Sequence, residues 1–186
     1  KYIDTKSLQD YIIVNELTKN PDAYRLSTFF YKERDSEGGK IKFGPVWDYS
    51  IGLGNVDYCT QSNPEDLVIE EFNKVCGGDY WVVHFWWERF LADSVFYNDL
   101  KLRWHELRQN QLSEETILNT VDSLATLINT AQDRNFQRWP ILGKYIWPNY
   151  FVGNTYAEEV DYLKDWLVKR LAWLDEKWKI ETVHTI

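Results

Sequence analysis

The sequence lacks methionine and is short of cysteine, of basic charge and of long apolar runs. None of its 186 residues is methionine, so we expect the chain to begin inside something larger or after a processing or cloning boundary. Two cysteines are too few for a structural zinc site or a disulfide-rich scaffold. No run of about 18 apolar residues occurs, so we expect no membrane span. With 21 basic against 29 acidic side chains, the net charge of −8 argues against a nucleic-acid partner.

The composition of the sequence is typical of a folded globular protein. Hydrophobic residues make up 44% and charged residues 27%, which is typical of globular proteins. Aromatic residues reach 17% and include 10 tryptophans, which can fill a large core. A chain of this length usually forms one domain, so we expect residues 1–186 to be a single domain.

Local patterns predict a mainly helical α+β protein with one β-hairpin near the N-terminus. Asp4 can cap a helix that runs to about Lys19, where Asn20-Pro21 stops it. Two strand-like stretches flank the turn at 35–39 and predict a hairpin over 28–46. The stretch 49–78 is irregular, and a loop this long is usually functional or pinned. Further helices are predicted at about 80–91, 94–110, 113–136 and 155–179.

The last predicted helix has one apolar stripe and one charged face. The stripe has helical spacing and comprises Val160, Leu163, Leu167, Leu171, Leu174 and Trp178. Four tryptophans fall at core spacing, namely Trp104, Trp166, Trp173 and Trp178. The charged residues predict a solvated face made of Glu158, Glu159, Asp161, Lys164, Asp165, Lys169 and Arg170.

Two aspartates flank the predicted hairpin. Asp22 precedes the first strand and Asp48 follows the second, so both should emerge at the same end of the hairpin. Oxygen donors on adjacent loops suit Mg²⁺, which binds one or two carboxylates together with phosphate oxygens. The plainer alternative is that both are turn residues bonded to their own backbone. A third interpretation is the carboxylate pair of a glycoside hydrolase.

The order of these parts is that of a protein kinase. Kinases place a catalytic aspartate after a helix, then a hairpin, then a metal-binding aspartate. Here the helix at 4–19, the loop at 20–27, the hairpin and Asp48 follow the same order. Ser27 stands five positions after Asp22, where kinases have a metal-binding asparagine. The standard kinase motifs around these positions are absent, so the order alone supports the comparison.

Several short blocks resemble the CotH spore-coat family of atypical kinases, and in particular secreted members from gut-type Bacteroidetes. The N-terminal blocks are Asn15-Glu16-Leu17, Asn20-Pro21-Asp22-Ala23-Tyr24, Tyr31-Lys32, Gly44-Pro45-Val46-Trp47-Asp48 and Gly54-Asn55. The later ones are Phe85-Trp86-Trp87, Arg103-Trp104, Glu106-Leu107, Asn135-Phe136-Gln137-Arg138-Trp139-Pro140 and Gly153-Asn154-Thr155-Tyr156.

The resemblance implies a fold, an activity and a set of site residues. It implies a helical domain like the C-terminal lobe of a kinase, with the ATP-holding lobe upstream, and therefore a fragment that is inactive alone. It implies ATP, Mg²⁺ or another divalent metal, and transfer of phosphate to serines of secreted or surface proteins. Asp22 resembles the catalytic aspartate, Asp48 and Ser27 resemble metal ligands, and Trp47 resembles the aromatic residue that packs on adenine. We expect a secreted or cell-surface monomer.

Two questions stay open at the level of sequence. A non-catalytic extracellular module, either a pseudokinase or a binder of glycans or proteins, would also use many tryptophans. Cys59 and Cys76 lie in turn-rich surroundings that fit either two free thiols or one disulfide. The secreted context implied by the resemblance favours the disulfide.

Overall fold

Residues 2–181 are described by a computed structural model, and they form a mainly helical α+β fold. The helices are α1 (Thr5–Thr18), α2 (Val68–Val75), α3 (Trp86–Ala92), α4 (Ser94–Arg108), α5 (Glu114–Arg138) and α6 (Tyr156–Lys177). Strands β1 (Phe30–Lys32) and β2 (Ile41–Phe43) form the hairpin. The predicted fold class is confirmed.

Helix α1 begins and ends where the sequence predicts. The Asp4 carboxylate accepts a hydrogen bond from the Ser7 backbone N–H at 2.9 Å, which satisfies one free donor of the first turn. Lys19 adopts a left-handed conformation, with φ of 44°, and ends the helix. The apolar face of α1, which includes Leu8 and Ile12, is fully buried in the core.

The hairpin is also confirmed, although its strands are short. β1 and β2 are antiparallel, with Phe30 opposite Phe43 and Lys32 opposite Ile41. A single 3₁₀ turn, Asp35–Glu37, connects them. The backbone N–H of Ile41 also bonds to the Tyr2 carbonyl at 2.8 Å, so the start of the chain lies along β2. This contact anchors the hairpin to the entry of α1.

The sequence analysis missed one helix and placed the start of another wrongly. Helix α2 lies inside the stretch predicted to be irregular, and α3 begins at Trp86 rather than near residue 80. The side-chain amide of Asn73 explains the second error, because it bonds to both the backbone N–H (2.8 Å) and the carbonyl (2.7 Å) of Val83. These bonds hold residue 83 outside a helix. The ends of α4, α5 and α6 differ from the predicted ones by no more than two residues.

The core lies among α1, α2, α4 and α6. Trp104 and Trp178 are fully buried and meet edge to face, with ring centroids 5.2 Å apart. Helix α5 packs along α6 and contributes no buried residue of its own. Arg170 contradicts the predicted solvated face, because its side chain is 0% exposed. No helix within residues 2–181 is both long and apolar enough to cross a membrane.

Cys59 and Cys76 form a disulfide, the alternative that the family resemblance favoured. Their Cα atoms are 5.2 Å apart. Cys76 ends helix α2, so the bond ties the C-terminus of α2 to the loop that precedes this helix. The long segment between the hairpin and α3 is therefore pinned rather than free.

Candidate active site

The side chain of Asn20 joins the two loops that carry Asp22 and Asp48. Its Nδ2 donates to the Asp48 carbonyl at 3.0 Å, and its Oδ1 accepts from the Asp22 backbone N–H at 3.1 Å. Asn20 is buried, with 1% of its surface exposed, so this bridge is shielded from water. The loops before and after the hairpin therefore meet at one end, as the hairpin geometry predicts.

Asp48 lies on the exposed side of this junction. Its backbone is left-handed, with φ of 58°, a conformation that aspartate adopts more readily than most residues. Its Oδ1 accepts a hydrogen bond from the Ser50 hydroxyl at 2.9 Å. A carboxylate held at a turn and facing solvent is an accessible oxygen ligand, of the type that Mg²⁺ prefers.

Asp22 is more enclosed. Its side chain is 21% exposed, and its Oδ1 accepts a hydrogen bond from Arg25 Nη2 at 2.7 Å. Burial raises the pKa of the Asp22 carboxyl above its ordinary value, and the negative charges of Asp48 and Asp79 act in the same direction. The Arg25 guanidinium opposes this shift and lowers the pKa. A raised pKa brings a carboxylate closer to the range in which it can accept a proton.

Ser27 and Trp47 lie on the same two loops. The Ser27 backbone N–H donates to the Asp22 carbonyl at 3.2 Å, which closes a turn between these residues. Trp47 directly precedes Asp48 and is 59% exposed, with its ring edge-on to Phe29 at a centroid distance of 6.2 Å. An exposed indole beside a carboxylate can stack on a planar ligand such as a purine.

Arg25 is the site residue that the sequence analysis missed. It lies one turn after Asp22, so its spacing of three residues was a usable signal. Its other ionic partner, Asp79, is 54 positions away, and no local pattern indicates that contact. The pairing of Arg25 with Asp22 could therefore have been predicted from the sequence, whereas its contact with Asp79 depends on the tertiary fold.

The donor set fits a loosely held divalent cation. Among residues 2–181 no group of three or more histidine, cysteine, aspartate or glutamate side chains could hold a metal ion. Asp48 could supply a carboxylate oxygen and Ser27 a hydroxyl oxygen, and the remaining ligands would be water and phosphate oxygens, as is usual for Mg²⁺ in nucleotide sites. The residues present are thus compatible with Mg²⁺ brought by a nucleotide.

Together, the helix, the Asp22 loop, the hairpin and Asp48 follow the order of the catalytic and metal loops of a protein kinase. The family described as CotH kinase protein matches residues 1–174, almost the whole chain. The chain belongs to the CotH kinase family. Comparison with curated proteins and with solved structures finds no match.

Proposed function

We propose that this chain carries the catalytic and metal loops of an ATP-dependent protein kinase that phosphorylates serines of secreted or cell-surface proteins. Family membership supports a kinase-like protein. The observation that carries the assignment of residues is the Asn20 bridge, which brings the Asp22 and Asp48 loops together at one end of the hairpin.

In this proposal Asp22 is the catalytic base. It orients the serine hydroxyl of the acceptor and accepts its proton as the hydroxyl oxygen attacks the γ-phosphorus of ATP and the bond to the β-phosphate oxygen breaks. Asp48 and Ser27 would hold Mg²⁺, and Trp47 would pack on the adenine. When bound, Mg²⁺ supplies charge neutralisation on the phosphates. The contribution of the protein is mainly positioning and electrostatic stabilisation.

The structure also offers an observation in favour of a binding module. Large apolar side chains of the segment between α5 and α6 are unusually exposed, namely Trp139 at 58%, Tyr145 at 56%, Trp147 at 71% and Tyr150 at 61%. Such rings can stack on sugars or on a partner protein. A non-catalytic extracellular binder is therefore the second candidate, and it predicts no transfer of phosphate.

Radiolabel transfer from ATP to a serine-rich acceptor separates the two candidates. The full natural chain that carries this sequence should transfer phosphate in the presence of Mg²⁺. Asp22→Asn should lower the rate by about 100-fold or more, because a positioned base contributes roughly 10²–10⁴-fold. Asp48→Asn should also lower the rate and should raise the Mg²⁺ concentration needed. The matched control is Asp35→Asn, because Asp35 is an exposed hairpin aspartate that pairs with Lys32.

The outcomes decide between the proposals. Unchanged transfer in Asp22→Asn would contradict the assignment of the base. Absence of transfer with every divalent metal tested, combined with binding to a glycan or protein panel, would favour the non-catalytic module. A nucleotide- and metal-dependent thermal shift that disappears in Asp48→Asn would support the metal role independently of turnover.

A further inference from the structure

Arg25 lies beside the candidate active site, and its buried guanidinium makes four hydrogen bonds. Its side chain is only 4% exposed. Its guanidinium donates to Asp22 Oδ1 and to the Pro21 carbonyl, both at 2.7 Å. It also donates to Asp79 Oδ2 at 3.0 Å and to the Trp81 carbonyl at 2.7 Å. The guanidinium therefore bonds at the same time to the Asp22 turn and to the loop at 79–81.

Aromatic rings and the disulfide hold Arg25 in place. The guanidinium carbon lies 4.4 Å from the centroid of the Phe72 ring and 5.8 Å from that of Tyr58. Phe72 belongs to α2, and Tyr58 directly precedes Cys59, which is bonded to Cys76. A planar cation enclosed by rings and bonded on several edges has little freedom to rotate. Its direction is thus set by elements outside the Asp22 turn.

A hydrogen bond within the loop at 79–81 also holds Asp79 in place. Asp79 Oδ1 accepts a hydrogen bond from the Trp81 backbone N–H at 2.7 Å, while its Oδ2 faces Arg25. Tyr80 and Trp81 project outward, with 86% and 55% of their surfaces exposed. Arg25 thus links the enclosed carboxylate of Asp22 to a loop that presents two exposed rings.

We propose that Arg25 is a positioning residue that fixes the orientation of the Asp22 carboxylate relative to the acceptor hydroxyl. The proposal rests on the proposed function, because it assumes that Asp22 is the base. A carboxylate that is bonded through one oxygen presents its other oxygen in a defined direction. Proton transfer depends on that direction, since small displacements of a reacting group are costly in rate. Lysine could replace the charge of Arg25 but not its planar set of donors.

The kinetic test compares Arg25→Lys and Arg25→Met in the full natural chain that carries this sequence. We expect kcat to fall by about 100-fold in Arg25→Met and by about 10-fold in Arg25→Lys. KM for ATP should stay within about twofold, because Arg25 contacts the base and not the nucleotide loop around Trp47. Asp79→Asn should have a smaller effect on kcat in the same direction.

Arg108→Met is the matched control, since it removes a comparable arginine away from the site. Arg108 is 18% exposed, donates to Asp175 at 2.9 Å and packs on the Trp104 ring at 5.8 Å. It should lower stability by an amount similar to that in Arg25→Met while leaving kcat within about twofold of the parent. A kcat in Arg25→Met equal to that of Arg108→Met would overturn the proposal.

A second measurement does not require activity. Scalar couplings of the Asp22 side chain, measured by NMR on the 186-residue chain, report whether one rotamer or several are populated. We expect a single rotamer in the parent and in Arg108→Met, and averaging over rotamers in Arg25→Met. A single parental rotamer in Arg25→Met would refute the positioning role even if no transfer were detected. Absence of transfer by the parent with every divalent metal tested would instead refute the proposed function, and full transfer in Asp22→Asn would refute the assignment of Asp22 as the base, whatever the couplings show.

Discussion

At Gly54 the backbone passes directly against the ring of Trp166. Its φ of +81° is one that residues with a side chain rarely adopt, and an added Cβ would lie 2.2 Å from Trp166 Cδ1. The Gly54 carbonyl also accepts a hydrogen bond from the Tyr162 hydroxyl at 2.8 Å, so the backbone cannot easily move away. The glycine is required here because a loop packs tightly on a helix.

We therefore expect Gly54→Ala to lower the free energy of unfolding by about 1–3 kcal/mol, the usual range for overpacking. Gly78→Ala is the control, since within residues 2–181 no heavy atom other than those of Gly78 and its chain neighbours lies within 4 Å of the added methyl group. That variant should stay within about 0.5 kcal/mol of the parent. Urea denaturation, monitored by tryptophan fluorescence, measures the stability of both variants. Equal midpoints for the two variants would contradict the packing argument.

Lys19 is a buried cation whose charge is costly in the folded state. It is 2% exposed, and its ammonium donates to the carbonyls of Asn63, at 2.7 Å, and Glu65. Burial, together with the nearby positive charge of Arg170, lowers the pKa of Lys19 to about 8. The pKa of a lysine in the unfolded chain is the ordinary 10.5.

The free energy of unfolding should consequently rise between pH 8 and pH 9.5. In that interval the folded chain releases the Lys19 proton while the unfolded chain keeps it, so stability increases with pH, by at most about 1.4 kcal/mol per unit. We end the interval at pH 9.5 because tyrosines of the unfolded chain ionise near pH 10. Burial raises the pKa of Tyr24 in the folded chain, so above pH 10 this residue makes the stability fall with pH. Denaturation curves at four pH values should show this rise in the parent. Lys19→Met should show a clearly smaller slope, and an equal slope in both proteins would contradict the assignment.

At the scale of elements, the parts that the sequence predicts are those with local signals. Helix α1 has its cap at Asp4, and α5 has its cap at Ser113, whose hydroxyl accepts from the Thr116 backbone N–H at 3.2 Å. Helix α6 begins at a Thr155 cap of the same type. Each of these signals lies within four residues of the helix that it starts, so the sequence alone was sufficient.

Helix α2 could not be predicted in this way, because its cap comes from another helix. Leu67 precedes it and makes no side-chain cap. The Glu16 carboxylate of α1 accepts hydrogen bonds from the backbone N–H groups of Val68 at 2.9 Å and Ile69 at 3.1 Å, across 52 and 53 positions. This carboxylate satisfies two donors of the first turn and complements the helix dipole. The missing local signal explains why this stretch was predicted to be irregular.

The disulfide secures the same element. It closes a loop of 17 positions between Cys59 and Cys76, which in the chain-entropy view is worth about 3 kcal/mol. We expect Cys59→Ser/Cys76→Ser to unfold at a lower urea concentration, with a loss of about that size. Reduction of the parent should give the same loss, and reduction of the double serine variant should change nothing. Equal midpoints for the oxidised parent and the serine variant would show that α2 does not depend on the bond.

At the scale of the whole molecule, one buried ion pair connects α1, the loop before α2 and α6. Glu16 and Arg170 are both 0% exposed, and their side chains are 3.3 Å apart. Arg170 donates to the Glu16 carbonyl at 2.7 and 2.9 Å and to the carbonyls of Pro64 and Asp66 at 2.7 Å. Glu16 and Arg170 are 154 positions apart in the sequence. The prediction used only the helical periodicity of α6, and it therefore placed Arg170 wrongly on the solvated face. Its partners could be found only in three dimensions.

This pair predicts strong coupling between two distant positions in the chain. Burial raises the pKa of Glu16 and lowers that of Arg170 to about 10, so each charge is tolerated only beside the other. Removal of one partner should cost about 3–5 kcal/mol, because the remaining charge stays buried and unpaired. We expect losses of that order for Arg170→Met and for Glu16→Gln.

The double variant Glu16→Gln/Arg170→Met should lose less than the sum of the single losses, by more than about 0.5 kcal/mol, since neither charge of the pair is left buried without the other. The double variant should not recover the full stability of the parent, because replacement of Arg170 removes the donor to the Pro64 and Asp66 carbonyls. Lys169→Met is the control on the same helix, because Lys169 pairs with Asp165 in solvent, with side chains 60% and 62% exposed. That variant should change stability by less than about 1 kcal/mol. Urea denaturation of the four proteins measures the cycle, and strictly additive losses would show that Glu16 and Arg170 stabilise the fold independently of each other.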